Sequence, residues 1–327
     1  MYDVISLGSA TVDAFAYTRR TQLITRNCCG SIKDLIAYPV GSKILIEKLN
    51  FYVGGGGTNT AVAFSRMGLK AAYLGNLGKD GNGDRVIEEL KKDKVDFIGT
   101  RSNHRTNYSV ILDSLEHDRT ILAYKEASEF LKLNSIKKNK LKTRWFYFAS
   151  SIGESLSTQK KLVDYAKKNN IKIAFNPSNY ETEKGVRFIH KILEDTEVLI
   201  LNKEEAELLV GKGTPKKTLK TLTMLGPKTV IITNGNDPLQ CCHDGMHYIA
   251  YPLKIKPLES TGAGDAFAST FIGALIKGKK IEDALRLGVT NAQSVISHFG
   301  AKNNLLSWSK LLKESKRRFV KVTKSKL

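Results

Sequence analysis

Short runs of apolar and β-branched residues recur along the chain, and stretches with helical spacing of apolar residues lie between most of them. The strand-like runs include "YDVISLG", "AAYLGNLG", "RWFYFAS", "IKIAFNP", "EVLILN" and "KTVIITNG". Helical spacing is found in "TNTAVAFSRMG", "DGNGDRVIEELKKDK", "STQKKLVDYAKKNN", "KEEAELLVG" and "IEDALRLGVTNAQSVISHFG". Strands that alternate with helices of this length are typical of βαβ units. We therefore expect one α/β domain over residues 1–327, with a central, mainly parallel sheet flanked by helices on both faces.

Two regions interrupt this alternation. Residues 14–53 show no clear helical pattern, and residues 104–126 contain two alternating strands around "SLEHD". Ligands of a parallel α/β sheet bind outside the carboxyl ends of its strands. We expect the two insertions to pair into a small second sheet over that crevice, where it would serve as a lid. The same sheet could form the edge through which a homodimer assembles, and the two roles are compatible.

None of the apolar runs is long enough to cross a membrane as a helix. The most apolar ones, "TEVLILN" and "WFYFASSIG", have strand length, far below the roughly 20 residues that a spanning helix needs. The first residues, "MYDVISLGSA", include an acid and lead directly into a strand-like run, unlike a secretory signal. We therefore expect a cytoplasmic protein without a membrane partner.

The cysteines form two adjacent pairs, Cys28-Cys29 and Cys241-Cys242. Neither pair has the two-residue spacer of zinc or redox motifs. We interpret them as free thiols, with "LQCCHDG" as a buried strand in which Cys replaces an apolar residue. A metal site assisted by His243 is the alternative.

The formal net charge is +20, and most of the excess is lysine spread along helical stretches, as expected for solvated helix faces. The densest cluster is the segment 310–327, "KLLKESKRRFVKVTKSKL", which we treat as a basic C-terminal tail. Such a tail could contact the phosphates of a nucleic acid. No base-reading motif accompanies it, so we do not expect a nucleic-acid partner.

Two glycine-rich loops precede helical patterns. "YVGGGGTNT" would let a ligand approach the backbone closely, because glycine has no Cβ. It lacks the Lys-Ser or Lys-Thr pair of a Walker loop, and Asn59 stands where a dinucleotide fingerprint has its last glycine. "GALIKGKK" at 273–280 has Walker spacing up to the lysine but lies in a helical pattern, so we regard it as a coincidence.

The second loop, "STGAGDAF", would present successive backbone N–H groups at a helix N-terminus. There the helix dipole supplies about half a positive charge. An aspartate at Asp265 ordinarily stabilises the first turn of a helix. In a loop without obstructing side chains it could instead accept the proton of an attacking hydroxyl while the amides hold a phosphoryl group.

Five motifs, in order along nearly the whole chain, resemble the ribokinase (PfkB) family of carbohydrate and nucleoside kinases. They are the glycine loop "GGGGTN", "LNKEEAELL" as an Asn-x-x-Glu motif, "VIITNG", "TGAGDAF" and the opening "DVISLGSATVDAF". The resemblance implies a ribokinase-like fold and transfer of the γ-phosphoryl group of ATP, with Mg²⁺, to a sugar hydroxyl. A nucleoside kinase is the alternative, and a catalytically silent nucleotide-binding regulator is a further one.

The resemblance implies a role for each matching residue. Asp265 would be the general base, and Gly262, Ala263 and Gly264 would form an anion hole. The nucleotide phosphates, the ribose and the adenine would be bound by Asn202, Glu205, Thr233, Gly235 and Asn291, with Glu205 also holding Mg²⁺ through water. The acceptor hydroxyls would be bound by Asp13, Gly55, Gly56 and Asn59.

Three positions depart from the family pattern. The family commonly has Asp at the position of Glu259, where the carboxylate helps to bind a monovalent cation such as K⁺, and Glu is one methylene longer. Ribokinases proper carry Lys where this chain has Gly56, so one sugar contact is missing. "FNPSNY" keeps Asn176-Pro177 but has no Arg shortly after it, unlike the phosphosugar kinases of the family. Ribose is therefore one candidate acceptor among several.

Overall fold

The computed structural model describes residues 1–19, 22–28, 31–113, 119–256, 258, 260–298 and 300–327. Of the sequence features above, Cys29, Glu259 and the segment "SLEHD" at 114–118 lie outside these residues. The strands are β1 (Tyr2–Leu7), β2 (Thr11–Tyr17), β3 (Gln22–Cys28), β4 (Ser31–Ala37), β5 (Lys48–Gly54), β6 (Ala71–Leu74), β7 (Asn76–Gly78), β8 (Asp96–Phe97), β9 (Thr100–Ser102), β10 (Asn107–Asp113), β11 (Arg119–Tyr124), β12 (Thr143–Ala149), β13 (Lys172–Asn176), β14 (Val198–Asn202), β15 (Thr229–Asn234), β16 (Asp237–His243), β17 (Met246–Tyr251) and β18 (Lys321–Lys326).

The helices alternate with the strands of the predicted βαβ units. They are α1 (Gly56–Arg66), α2 (Gly81–Lys92), α3 (Gly153–Lys168), α4 (Asn179–Glu183), α5 (Val186–Leu193), α6 (Lys203–Val210), α7 (Pro215–Thr223), α8 (Ala263–Ile276), α9 (Ile281–Val295) and α10 (Trp308–Arg317). Short 3₁₀ turns at Ala127–Glu129, Leu133–Ser135 and Lys138–Leu141 connect β11 to β12.

Within the described residues, ten strands form the central sheet, in the order β18-β17-β16-β15-β14-β13-β12-β1-β6-β8. The strands from β8 to β15 pair in parallel, and β16, β17 and β18 add antiparallel at one edge. The mainly parallel α/β sheet predicted from the alternation is confirmed. Its antiparallel edge follows from the tight turn after Asn234, which is too short for the crossover that a parallel strand requires.

Helices bury both faces of this sheet. On one face, α1, α8, α9 and α10 pack through residues such as Phe64, Phe271 and Leu311. On the other face, α3, α5, α6 and α7 contribute residues such as Leu162 and Leu219. Because the parallel strands are covered on both sides, they consist of nearly continuous apolar runs without alternation.

Strands from the two insertions meet in a separate four-stranded sheet, in the order β11-β10-β2-β5, while β3 and β4 of the first insertion pair with each other in a two-stranded sheet. Strand β2 pairs antiparallel with β5, with Thr11 opposite Gly54, and parallel with β10, with Thr11 opposite Asn107. This second sheet begins earlier than predicted, at Thr11, because the chain turns directly from β1 into it. Its attachment to the glycine loop after β5 places it beside the start of α1.

The basic C-terminal segment is part of the main domain. Its first half lies in α10, where Leu311 is buried, and its second half forms the edge strand β18 against β17. Lysines on an edge strand hinder pairing with another chain. Cys241 and Cys242 lie buried in β16 as free thiols, as predicted. The described residues contain no group of three or more His, Cys, Asp or Glu side chains placed to hold a metal ion.

None of the helices in the described part of the chain combines the length and the apolar character needed to cross a bilayer.

Candidate active site

The carboxyl ends of the central strands bring the predicted site residues to one edge of the sheet. Strand β14 ends at Asn202, directly opposite Thr233 of β15, and β13 ends at Asn176, opposite Ala149 of β12. Helices α1 and α8 begin at the same edge. The four loops that resemble the family motifs therefore converge on one crevice.

Helix α8 begins at a left-handed glycine. Gly262 is its N-cap, with φ 80° and ψ −2°, a conformation that favours glycine. A Cβ at this position would also lie 2.5 Å from Cβ of Ala301. By contrast, a Cβ built on Gly264 meets no heavy atom within 4 Å, so this residue faces open space. The first turn of α8 thus presents its backbone to the crevice without a side chain in front of it.

The Asp265 carboxylate joins this turn to the glycine loop of α1. Asn59 Nδ2 donates a 2.8 Å hydrogen bond to Asp265 Oδ2. A Cβ built on Gly56 would be 3.5 Å from Asp265 Oδ1. Burial raises the pKa of Asp265 above its ordinary value, and the Asn59 hydrogen bond and the positive charge of Lys302 oppose that rise. The glycine loop before α1 and the "TGAGDAF" loop before α8 therefore meet at the Asp265 carboxylate.

Asp13 lies on β2, where the second sheet borders the glycine loop. Its side chain is buried, and Thr11 Oγ1 donates a 3.3 Å hydrogen bond to Asp13 Oδ1. A Cβ on Gly54 would overlap Asp13 Oδ2, which shows how closely the carboxylate approaches the loop. Gly55, the N-cap of α1, has φ 97° and packs on the backbone of Ser9. The structure thus brings the predicted acceptor-binding residues together.

Asn202 and Glu205 cap α6 reciprocally. Asn202 Oδ1 accepts a 2.8 Å hydrogen bond from Glu205 N, and Glu205 Oε2 accepts one of 2.8 Å from Asn202 N. Glu205 is buried, and burial is the main cause that raises its pKa to about 7. The charges of Glu181 and Glu204 contribute to this rise, and the Asn202 hydrogen bond opposes it. Helix capping explains the three-residue spacing of Asn202 and Glu205. The Glu205 carboxylate nevertheless lies buried at the crevice, where it is costly to ionise.

A cavity of about 380 Å³ opens beside Gly264. Its polar wall comes from the ends of β14 and β15, and its apolar wall from α8 and α9. The lining residues are Asn202, Thr233, Asn234, Gly235, Asn236, Leu239, Pro252, Ser260, Ala263, Gly264, Phe267, Val289, Ala292, Gln293 and Ile296. Volume and composition are those of a small-molecule site.

The structure does not bring the Asn291 side chain into this cavity. Asn291 is fully buried behind it, where Nδ2 donates to Thr270 Oγ1 at 2.7 Å and Oδ1 accepts from Leu306 N at 3.0 Å. Neighbouring residues on a helix point about 100° apart, and here Ala292 and Gln293 face the cavity instead. The spacing of Val289, Ala292 and Ile296 along α9 could have indicated this face.

Two buried polar residues, one under the site and one beside it, were not predicted. Tyr147 lies under the crevice and donates a 3.3 Å hydrogen bond to Asn176 Oδ1; burial raises its pKa well above the ordinary value, and the charges of Asp265 and Glu205 add to the rise. Lys302, whose side chain is 6% exposed, pairs with Glu89 at 2.6 Å. In the sequence, Tyr147 belongs to an apolar strand run and Lys302 is one of 52 Lys and Arg residues.

With this geometry established, the comparisons with known proteins identify the family. The model of the "pfkB family carbohydrate kinase" matches residues 25–308. The chain belongs to the PfkB family of carbohydrate kinases. As a member, it is an ATP-dependent sugar kinase, which confirms the enzyme class expected from the motifs.

Relatives of this PfkB kinase carry different sugar-kinase names. The chain is 27% identical to a 5-dehydro-2-deoxygluconokinase of Halalkalibacterium halodurans, over 94% of the chain and 92% of the relative. It is 26% identical to an ATP-dependent 6-phosphofructokinase of Thermoanaerobacterium thermosaccharolyticum, over 82% of the chain and 86% of the relative.

Solved structures with 20% identity or less to this PfkB kinase establish its fold. A putative ribokinase II from E. coli in complex with ATP and Mg²⁺ superposes with a TM-score of 0.82 at 20% identity, covering 97% of this chain and 100% of that one. The ribokinase of Arabidopsis thaliana, complexed with ribose and ATP, gives a TM-score of 0.80 at 19% identity, with coverages of 96% and 99%. The ribokinase-like α/β fold with a small separate sheet is confirmed.

Proposed function

We propose that this PfkB kinase transfers the γ-phosphoryl group of ATP to a hydroxyl of a small sugar, with Asp265 as the general base. The observation that supports this most is the position of the Asp265 carboxylate. It lies in the first turn of α8, bound to Asn59 of the glycine loop on one side and next to the open face of Gly264 on the other.

The surroundings of Asp265 suit proton transfer. The Asn59 hydrogen bond orients Oδ2, while Oδ1 points toward Gly56. An acceptor hydroxyl seated on the glycine loop would meet that oxygen. Burial raises the pKa of the carboxyl, and a base is more effective when its pKa lies nearer the working pH.

The turn before Asp265 would stabilise the transferring phosphoryl group. Gly262, Ala263 and Gly264 would offer their backbone amides at the N-terminus of a helix of 14 residues, with Ala263 N giving up its 3.3 Å hydrogen bond to Ser260 O. Such amides, together with the helix dipole, stabilise the negative charge that develops on phosphate oxygens. The open space above Gly264 is the room this group requires.

The cavity beside this turn would hold the nucleotide. Its polar residues Asn202, Thr233 and Gly235 would contact the phosphates and ribose, and its apolar wall of Phe267 and Val289 would take the base. On α9, Ala292 and Gln293 would lie next to the base, in the place expected for Asn291.

The buried carboxylate of Glu205 fits a divalent cation. Burial and the neighbouring charges of Glu181 and Glu204 raise its pKa to about 7, and a cation nearby would offset that cost. Mg²⁺ prefers carboxylate oxygens and retained waters, so Glu205 would hold it through its hydration shell. Bound Mg²⁺ would supply charge neutralisation of the ATP phosphates. The K⁺ site at Glu259 lies outside the described residues and stays a prediction.

Asp13, Gly55, Gly56 and Asn59 would bind the acceptor. Asn59 Oδ1 is buried and accepts no hydrogen bond from the described residues. Buried acceptors are nearly always satisfied, and a donating sugar hydroxyl would satisfy this one. The second sheet, which carries Asp13, would cover the bound sugar and exclude water as a competing acceptor.

We also expect a cytoplasmic location and a homodimer formed through the second sheet. Leu49 and Phe51 on β5 and Leu122 on β11 are 50%, 40% and 56% exposed, and the strand register places them on one face of the sheet. Apolar exposure on this face favours such an interface.

The test of the proposal is a coupled ADP-release assay over a panel of acceptors. The panel contains pentoses, hexoses, 5-dehydro-2-deoxygluconate, fructose 6-phosphate and nucleosides, with the D265N enzyme as the blank. We expect ADP release with one or more sugars, absent in the blank. ADP release with nucleosides alone would mean that the acceptor is a nucleoside and not a sugar. If none of the acceptors in the panel gave ADP release, the proposal would be contradicted.

A further inference from the structure

The loop that follows α9 supports the anion-hole turn. Gly300 has φ 85°, and the next residue, Ala301, packs directly on the N-cap of α8. A Cβ on Gly262 would come within 2.5 Å of Ala301 Cβ and 2.7 Å of its Cα. Ala301 therefore lies directly against the turn at Gly262 and limits its movement on that side.

Lys302, the residue after Ala301, is anchored to two helices. Its ammonium lies 2.6 Å from Glu89 Oε1 on α2. Its carbonyl oxygen accepts a 2.6 Å hydrogen bond from Arg66 Nη1 on α1. Arg66 in turn donates to both carboxylate oxygens of Asp93, at 2.7 and 3.0 Å. Side chain and backbone of Lys302 are thus both held, although the loop itself has no regular secondary structure.

The anchoring helix α1 contacts the catalytic region at both ends. Near its start, Asn59 binds Asp265, and its last residue, Arg66, binds the carbonyl of Lys302. The loop, α1 and the start of α8 therefore form a closed set of contacts around Asp265.

The charge of Lys302 also acts on Asp265. Asp265 is faced by Asn59 from α1, by Tyr147 from β12 and by the Lys302 ammonium, which lowers the pKa of Asp265 against the effect of burial. Burial lowers the pKa of Lys302, and the charge of Arg66 on α1 lowers it further, while Glu89 of α2 and Asp93, the C-cap of α2, raise it.

We propose that Lys302 is a positioning residue for phosphoryl transfer: through Ala301 it holds the turn at Gly262 in place, and its buried ammonium acts on the Asp265 carboxylate as a positive charge. The inference rests on the proposed role of Asp265 as the base. It assigns a function to a lysine that contacts neither the nucleotide cavity nor the glycine loop.

The test measures kcat/KM for the sugar against pH at saturating Mg-ATP in the K302M enzyme. Losing the positive charge should move the acidic limb of the profile to higher pH by about half a unit or more. Misplacement of the turn should lower kcat by about 10- to 100-fold. The KM for ATP should change little, because Lys302 does not line the nucleotide cavity.

Two further variants separate charge from position. R66Q removes the hydrogen bond to the Lys302 carbonyl and leaves the ammonium, so kcat should fall while the acidic limb stays in place. K92M, which removes an exposed lysine on neighbouring α2, is the matched control and should behave like the wild type. If K302M does not fold, K302Q, whose amide can still donate to Glu89, takes its place with the same expected limb shift.

An acidic limb that does not move in K302M or K302Q overturns the electrostatic role, and a wild-type kcat in R66Q overturns the positioning role. Failure of this inference is distinct from failure of the proposed function. An active D265N enzyme would refute Asp265 as the base, whereas an inactive D265N with an unshifted K302M profile would refute only the electrostatic role of Lys302.

Discussion

Replacing Glu205 by Gln should stabilise the protein without ligands, and increasingly so as the pH rises. Burial raises the pKa of this carboxyl from 4.5 to about 7, and such a shift corresponds to about 3 kcal/mol. The unfolded chain loses the proton near pH 4.5 and the folded protein only near pH 7. Between these values the wild-type protein therefore loses stability as the pH rises, and above about 7 it carries the full cost.

The E205Q variant lacks this titration and keeps the helix cap, because a Gln side chain can still accept the hydrogen bond from Asn202 N. The assay is urea denaturation at pH 4.5 and pH 8 in the presence of EDTA and without nucleotide. We expect similar stability at the lower pH and a gain of up to about 3 kcal/mol for E205Q at the higher pH.

The control is E183Q, which removes an exposed carboxylate on the nearby helix α4. Glu181 has a raised pKa of its own, and its contribution is present in both proteins compared. A stability difference between wild type and E205Q that is equal at the two pH values would refute the reasoning. E205Q should at the same time bind Mg-ATP more weakly, because Glu205 is the carboxylate that we propose holds Mg²⁺. Replacing a functional residue that destabilises the fold commonly raises stability and lowers function.

Three other substitutions test the geometry of the crevice. G264A should fold normally, since its Cβ meets nothing within 4 Å, yet it should raise the KM for ATP; an unchanged KM would contradict the open face of the turn. G262A combines φ 80° with a clash on Ala301 and should lower stability by about 1–3 kcal/mol in thermal unfolding, so an unaltered melting temperature would count against the turn geometry. N59A removes the hydrogen bond that lowers the pKa of Asp265; the acidic limb of its kcat/KM profile should move to higher pH, and no movement would refute the contact.

Much of the fold and the two glycine loops could be predicted because local sequence determines them. The apolar runs and helical spacings mark the strands and helices in order, and parallel strands place their ends together. The turn at Gly262 and the carboxylate of Asp265 are carried by adjacent residues. The second sheet was predicted from interruptions of the pattern, but the parallel pairing of β2 with β10 depends on tertiary contacts between distant segments.

The remaining features depend on which way a side chain points and on contacts between distant segments. Asn291 was placed next to the base by resemblance, whereas the helix directs it into the core. Lys302 could not be separated from the many surface lysines, because its burial results from contacts with α1 and α2. The segment 310–327 looked like a charged tail, yet the weak alternation in "KVTKSK" forms the edge strand β18.

The most direct test of the central claim is turnover of the D265N enzyme relative to its binding of ATP. Asn is nearly isosteric with Asp and cannot accept a proton from the acceptor hydroxyl. Loss of a general base costs about 10²- to 10⁴-fold, so we expect D265N to retain less than about one per cent of the wild-type kcat with its best sugar. Titration calorimetry should show ATP binding nearly unchanged. Activity above that level with intact ATP binding would contradict Asp265 as the base.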